Sequence, residues 1–589
     1  MWMHHGIDLI PVERTPTLPD LFRTRLERSP NSIAYWQFAE DRAPRWEPHT
    51  WSQAAHQAAQ WQAALRRENL KQGARVAICM PNRMEWVLFD MACMSLGLVV
   101  VPLYPHDRPE AMAYILEDAG VQLLLMEDES QWRVLEPHLY DATKLKTVVI
   151  LQGHCSDSCG RCQAAGDWLP QGTHPWLRMA GATDPDGLAT LVYTSGTTGP
   201  PKGVMLSHRN ILFNAAASLK RIDAYTDDRF LSFLPLSHAL ERTAGCYLPM
   251  MAGCEVAFSR GIPYLSEDLA AMQPTVLISV PRIFERIHSE VLAKLQHAPH
   301  WKVRLFSHTV ESGWDHFLHQ QGKSGFHFKG MIWPLLKPIV ANKLLKKLGG
   351  RLRLAVSGGA PLDPTISRFF LGMGLPLVQG YGLTETAPVV SVNTPTDNEP
   401  SSVGQPLPGV KVRLNRQGEL CVKGPGVMTG YWHDPGATHA AIDQDGWYHT
   451  GDKGEIDAEG HIKVVGRIKE ILVTATGRKV PPADVEGAIQ LDPLFNQVMV
   501  LGEGRAYLAA LVVLNPEVAE GKIWDEVALV ARINELLHGF PRYAEIIRVA
   551  VVEESWTVDN GLLTPTLKLK RRAVLNRYQT LIEQLYQGH

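Results

Sequence analysis

The feature that most constrains this chain is a regular alternation between residues 76 and 126. Short apolar runs at 76–80, 98–103 and 121–126 are separated by helical patterns at 84–96 and 109–119. Such strands cannot be joined by tight turns when helices of ten or so residues stand between them, so crossover connections and a largely parallel sheet follow. The fold class is α/β. Two helical patterns precede the alternation: 17–29, with Leu18, Leu21, Phe22 and Leu26 on one face, and the alanine-rich 50–69. The chain has 589 residues, which allows roughly three to four domains at most. Its net charge of −3 offers no general basicity for a nucleic-acid partner. Eight cysteines over this length are not a disulfide framework. Residues 1–13 lack a basic region followed by an apolar core, and the uncharged apolar run 91–105 is shorter than the ~20 residues of a spanning helix. A reduced, cytoplasmic protein is expected.

Three glycine-rich loops follow predicted strands. The first comes after the apolar run 188–193 and holds Thr194, Ser195, Gly196, Thr197, Thr198, Gly199 and, near its end, Lys202. Glycines uncover backbone N–H donors, the hydroxyls add short side-chain donors, and Lys202 adds a point charge suited to phosphate oxygens. It is not the Walker loop, because no Gly-Lys-Ser/Thr occurs at that spacing. A solvated Ser/Thr/Gly loop is the bland alternative, but it would not require apolar runs on both sides. The second loop, Ser357-Gly358-Gly359-Ala360, ends the strand pattern 353–356. The third, Gly380-Tyr381-Gly382-Leu383-Thr384-Glu385, follows a strand ending at Gln379, and Gln379 is counted with this loop as a nucleotide-binding candidate. Ligands of open α/β sheets bind beyond the carboxyl ends of strands. Tyr381 can face adenine, Gly358 and Gly359 let backbone approach the base, Thr384 can hold the α-phosphate, and Glu385 is a hard oxygen ligand for Mg²⁺. Further on, Asp452 in Tyr448-His449-Thr450-Gly451-Asp452 suits ribose hydroxyls. Gly424-x-Gly426-x3-Gly430 is one residue too long for a dinucleotide fingerprint and is discounted.

The run Thr194-Ser195-Gly196-Thr197-Thr198-Gly199-Pro200-Pro201-Lys202-Gly203 resembles the signature loop of the adenylate-forming superfamily of acyl-CoA synthetases, luciferases and peptide-synthetase adenylation domains. The motifs occur in that superfamily's order from Leu18 to Arg572. Pro235-Leu236-Ser237-His238 with Glu241-Arg242, and Val280-Pro281-Arg282, resemble segments of its long-chain fatty acyl-CoA synthetases. A histidine at a strand end is ordinarily a core residue; the resemblance makes His238 part of the site. It also implies Lys568 as a mobile catalytic lysine, Arg467 at the nucleotide, and Thr194 beside Glu385 at the metal. Lys202, Thr384 and Glu385 complete the implied catalytic group. The fold it implies is a large N-terminal domain, 1–467, of layered mostly parallel sheets with flanking helices. A small mobile α+β domain, 468–589, would turn about a hinge at Lys469. The implied reaction is ATP- and Mg²⁺-dependent activation of a fatty acid to acyl-AMP, then thioester formation with CoA. Two alternatives stay open: a ligase that hands acyl-AMP to a carrier protein, and a nucleotide-binding relative without turnover. Leu567 and Val473 stand where many members have glycine and lysine.

Two segments fall outside this pattern. Cys155, Cys159 and Cys162 follow His154 with the spacing of a metal cluster, but no second ligand group matches, and a solvated loop with free thiols is the expectation. Residues 316–362 carry no Asp or Glu, yet hold Lys323, Lys329, Lys337, Lys343, Lys346, Lys347, Arg351 and Arg353 interleaved with Phe326, Phe328, Met331, Trp333 and Leu335. That pattern suits peripheral contact with the inner face of an anionic membrane; a helical insertion with a solvated basic face is the alternative. Oligomeric state is left open, a homodimer being one option.

Overall fold

A computed structural model of the chain describes residues 6–39, 44–139, 144–155, 160–172, 175–176, 184–194, 200–296, 298–323, 330, 332–520, 524–558, 560–564 and 568–587. Among these residues the strands form two large sheets. The first has nine strands, in the order 405–406, 389–392, 377–382, 354–357, 276–279, 229–232, 255–258, 33–39, 45–50. The second has eight, in the order 430–431, 202–207, 188–194, 99–102, 75–79, 121–128, 147–152, 162–164. Both are parallel through their middles, as crossover helices require, and antiparallel near their edges.

Helix Met84–Ser95 shows why the sheets stack. Every residue from Trp86 to Ser95 is buried, so the helix has no solvent face and must lie inside. It packs on the strand Val99–Pro102 of one sheet and on Ile33–Ala39 of the other. Its one buried charge, Asp90, meets Arg242, whose guanidinium also donates to Tyr247 Oη (2.7 Å) and Thr190 Oγ1 (2.7 Å). Asp90 thus joins the helix to the second sheet and to the π-helical turn Glu241–Tyr247, with its charge compensated.

A four-stranded antiparallel sheet (411–414, 419–423, 448–456, 462–467) follows, a unit the sequence reading did not separate. Beyond it, strands 495–501, 508–514 and 546–551 form a small sheet covered by helices Pro482–Gln490 and Glu526–Leu536 over its own core. The N-terminal helix spans Leu18–Arg28 with Thr17 as its cap, and the next spans Trp51–Arg67 with a Thr50–Gln53 capping box.

Three expectations need correction. The strand expected to stop at Gln379 runs on through Gly382 and pairs with 389–392, so Gly380 to Gly382 are strand rather than loop. His238 does not end its strand: Arg229–Ser232 stops six residues earlier, and Pro235, which lacks an N–H, starts a turn. Cys155 and Cys162 form a disulfide rather than free thiols, bridging residues beside the strand Cys162–Ala164; Cys159 lies outside the described residues. No helix among the described residues is long and apolar enough to cross a membrane.

Candidate active site

The strand Leu188–Thr194 turns back as Lys202–Ser207, pairing Thr194 with Lys202. The intervening Ser195, Gly196, Thr197, Thr198 and Gly199 lie outside the described residues. The hairpin nonetheless sets both ends of that loop at one point. Lys202 Nζ sits 3.5 Å from Asp434 Oδ2 and over the ring of Tyr431. Tyr431 belongs to a two-residue edge strand, Gly430–Tyr431, that pairs with 204–205. Its hydroxyl donates to Glu385 Oε1 at 2.9 Å. Tyr431 therefore links Lys202 to Glu385 across segments far apart in sequence.

Glu385 lies in the short turn Thr384–Thr386, just beyond the strand Leu377–Gly382. The turn is held from below, with Thr386 Oγ1 donating to Pro388 O (2.6 Å) and Met428 N to Glu385 O (2.8 Å). A Cβ on Gly382 would lie 2.1 Å from Pro388 O, so only glycine admits this approach. Glu385, with no Lys or Arg ion pair among the described residues, is a hard carboxylate donor open to a cation, which fits Mg²⁺.

The second group centres on Asp452, which is buried. Tyr381 Oη donates to its Oδ2 at 2.5 Å, and Arg467 Nε pairs with its Oδ1 at 2.9 Å. Cross-strand pairing of Asp452 with Arg467 sets this contact. Burial raises the Asp452 pKa and Arg467 opposes the rise; burial raises that of Tyr381 as well. Tyr381 thus stays a neutral donor against the carboxylate.

Gly358 and Gly359 follow the strand Leu354–Ser357, with Gly359 at φ +83° and Ala360 exposed beyond it. A Cβ on Gly358 would come within 3.1 Å of Leu240 Cδ2, next to the His238 turn. Gln379 points elsewhere: its amide accepts from Leu362 N (3.2 Å) and donates to Pro400 O (2.8 Å), bracing the glycine loop rather than facing a ligand.

Two backbone bonds flank Lys568, with Thr564 N donating to Lys568 O (2.7 Å) and Lys570 N to Leu562 O (2.9 Å). Lys568 is exposed at the surface, yet its ammonium feels its surroundings: loss of solvent, then the charge of Arg467, lowers its pKa, while Asp452 and Glu470 act the other way. It also adds to the burial that depresses His238 to about 3, so His238 is neutral. Lys568 thus lies within electrostatic reach of His238, Asp452 and Arg467, residues far apart in sequence. Lys469 is exposed in the turn after Arg467, where Ile468 N donates to Gly451 O (2.9 Å). Arg282 Nη2 donates to Asn496 O (2.8 Å) and Oδ1 (3.2 Å), a contact between the large sheets and the C-terminal one.

Comparison with known proteins adds to this geometry. Residues 22–432 match the AMP-binding enzyme family, and residues 469–589 match the AMP-binding enzyme C-terminal domain. The chain belongs to the AMP-binding enzyme family. A long-chain-fatty-acid–CoA ligase of Mycobacterium bovis is 33% identical over 568 residues, covering 92% of each chain. Long-chain-fatty-acid–CoA ligase 1 of Homo sapiens is 30% identical, over 87% of this chain and 78% of its own. Among solved structures, an anthranilate CoA ligase bound to anthranoyl-AMP superposes with a TM-score of 0.75 at 20% identity, covering 98% of this chain and 99% of that one. The adenylation domain of a Segniliparus rugosus carboxylic acid reductase gives 0.77 at 23%, covering 97% and 94%. This AMP-binding enzyme therefore shares their fold of layered sheets with a small C-terminal domain.

Sequence reasoning missed Tyr431, Tyr448 and Arg282 as site or docking residues. Tyr448 is buried next to Tyr431 and Glu385. The signal for Tyr431 was the Gly424 to Gly430 run, which was rightly set aside as a dinucleotide fingerprint but carries this edge strand.

Proposed function

We propose that this enzyme is a long-chain fatty acyl-CoA synthetase, using ATP, Mg²⁺ and CoA. The observation that carries the reading is Lys568 within electrostatic reach of the Asp452, Arg467 and Tyr381 group, beside a loop ending in Lys202 and a turn carrying Glu385. The carboxylate of the acid and the α-phosphate of ATP are both anionic, so catalysis is chiefly charge neutralisation and in-line positioning. Lys202, the Thr194–Gly199 loop and Lys568 neutralise the phosphates; Thr384 holds the α-phosphate; Asp452 takes the ribose hydroxyls; Tyr381, Gly358 and Gly359 flank the base. Mg²⁺, when bound, shields the phosphate charge, and Glu385 with Thr194 is the donor set for it. Acyl-AMP and pyrophosphate result, and the CoA thiol then displaces AMP. His238, neutral and beside Lys568, borders the acyl side of the cleft.

The chain divides at about residue 467 into a large unit and a small mobile one, hinged at Lys469. The arrangement with Lys568 in the cleft is the adenylating one; rotation withdraws it and lets the thiol reach the acyl-AMP. Peripheral membrane contact through 316–362 is supported by the face of helices Trp333–Leu336 through Asn342–Lys347. There Ile332, Leu335, Ile339, Lys343 and Lys346, at helical spacing, are all exposed.

The deciding experiment measures pyrophosphate release, and CoA-dependent AMP release, over carboxylic acids from acetate to long chains and aryl acids. Each buried methylene is worth about 0.8 kcal/mol, so activity should climb steeply with length until the pocket is full. Best activity with acetate or benzoate would overturn the long-chain reading. Pyrophosphate release without CoA-dependent AMP release would favour transfer to a carrier protein.

A further inference from the structure

We propose that Glu419, Cys421 and His449 form a binding site for a thiophilic divalent cation of the zinc class, separate from the Mg²⁺ of the nucleotide cleft. The scaffold is the four-stranded antiparallel sheet. Cys421 and His449 are directly opposed on neighbouring strands, and Glu419 lies two residues before Cys421, on the same face. His449 Nδ1 is 3.1 Å from Glu419 Oε2 and 3.6 Å from Cys421 Sγ, and the three donor atoms lie within 4.8 Å of one another. Ligands of a tetrahedral zinc, bonded at about 2.0–2.3 Å, stand roughly 3.3–3.8 Å apart. The side chains are already near that spacing.

The outer partners fit the same reading. His449 Nε2 faces Asp443 Oδ2 at 3.6 Å, and Asp443 is fixed by the backbone N–H groups of Asp445 and Trp447. A carboxylate on the far ring nitrogen holds the tautomer that leaves Nδ1 free to ligate. Gly451 N and Asn415 Nδ2 donate to Glu419, orienting its carboxylate. A lone-pair Nδ1, a carboxylate and a sulfur then face one another, an arrangement that needs positive charge among them. A divalent ion supplies it: thiolate and carboxylate neutralise the ion, while Arg413 and Asp443, 3.5 Å apart, offset each other. Thiolate and imidazole select zinc-like ions over Mg²⁺ or Ca²⁺. The His449 side chain is 31% exposed, giving an ion a way in, whereas Cys421 is buried. The site lies three residues before Asp452, so a bound cation would stiffen the strand behind the Asp452–Arg467 pair.

The test is Co²⁺ titration of the full chain after removal of metal by a chelator. A thiolate-to-cobalt charge-transfer band should grow to saturation at a single equivalent, be displaced by Zn²⁺, and resist Mg²⁺. Cys421→Ser and His449→Gln should each abolish it, Asp443→Asn should weaken binding ~10–100-fold, and Cys159→Ser should leave it intact. Zn²⁺ should also raise the thermal midpoint of the wild-type chain but not that of His449→Gln, which decides the matter if Cys421→Ser does not fold. No band in the wild-type chain, or a band and a Zn²⁺ shift that survive in His449→Gln, would overturn the assignment.

Discussion

Replacing Arg282 by alanine tests whether the docking of the C-terminal unit sets the rate of one half-reaction and not the other. Arg282 opens the helix Pro281–Gln296, and its guanidinium meets Asn496 at 2.8 and 3.2 Å, on the strand Phe495–Leu501. Leu491, just before that strand, packs against the main core, so the contact is part of a seam. Hydrogen bonds from a charged donor are worth about 1.5–3 kcal/mol at best. Arg282 is 36% exposed and keeps Glu285 at 3.8 Å, so we take ~1–2 kcal/mol for the whole contact. At tenfold per 1.4 kcal/mol, the equilibrium between the adenylating arrangement and the rotated one shifts ~5–30-fold. Single-turnover acyl-AMP formation should fall by up to that factor, while thioester formation from supplied acyl-AMP holds steady. Arg286→Ala on the same helix, whose partner is Glu290 at 3.1 Å, should change neither half. Equal losses in both halves for Arg282→Ala, or a loss confined to the thioester step, would refute the reasoning.

Glu385→Gln keeps the size and the Tyr431 contact but removes the charge for Mg²⁺; pyrophosphate release should fall at least ~10²-fold, and near-normal release would remove Glu385 from the metal site. Lys568→Ala should abolish acyl-AMP formation and spare the thioester step. Lys469→Pro, with φ fixed near −65°, should show the reverse if it retains the adenylating arrangement; stopped single turnovers of each half distinguish them. Glu241 is buried with no Lys or Arg ion pair among the described residues, and burial raises its pKa from 4.5 to about 8, with Ser232 opposing the rise. The folded state then holds a proton that the unfolded chain has lost, so stability falls as pH rises from 4.5 to 8, by on the order of a few kcal/mol. In denaturant titrations Glu241→Gln should flatten that slope; an unchanged slope would mean Glu241 is ionised in the fold. Lys343, Lys346 and Lys347 reversed to Glu should weaken sedimentation with anionic liposomes, and unchanged partition would leave that face simply solvated.

What could be read in advance was whatever depends on neighbours in sequence. The helix at 109–119 and the strands beginning at 75, 99 and 121 lie within a residue or two of the apolar pattern, because periodicity and caps are local. The resemblance extended that reach to Lys568 and His238, which no local pattern singles out. What escaped depends on which distant segments touch. Tyr431 matters because a two-residue strand happens to pair beside Lys202. Gln379 looked like a ligand because it ends a strand, yet its amide is spent on Leu362 and Pro400, contacts that no spacing encodes. His238 reads as a strand end because the apolar run continues to Leu236, although the strand stops at Ser232 and Pro235 keeps it from resuming.

The strand Tyr448–Ile456 shows how one local rule could have gone further. Side chains alternate along a strand, and here Tyr448, Thr450, Asp452 and Gly454 are buried while His449, Gly451 and Lys453 are half-buried. The ladder to 419–423 is bulged between His449 and Lys453, yet burial still alternates through it, which puts Tyr448 on the buried side with Asp452 and His449 on the other. On that opposite face stand Glu419 and Cys421, by the same period of two on the paired strand. The nucleotide face and the proposed cation face therefore share one strand, and a ligand on either side acts on the same backbone hydrogen bonds. A side chain altered on one face can then change affinity on the other without touching the ligand there. Gly451 stands at that junction: its N–H donates to Glu419 and its carbonyl accepts from Ile468 N, beside the proposed hinge.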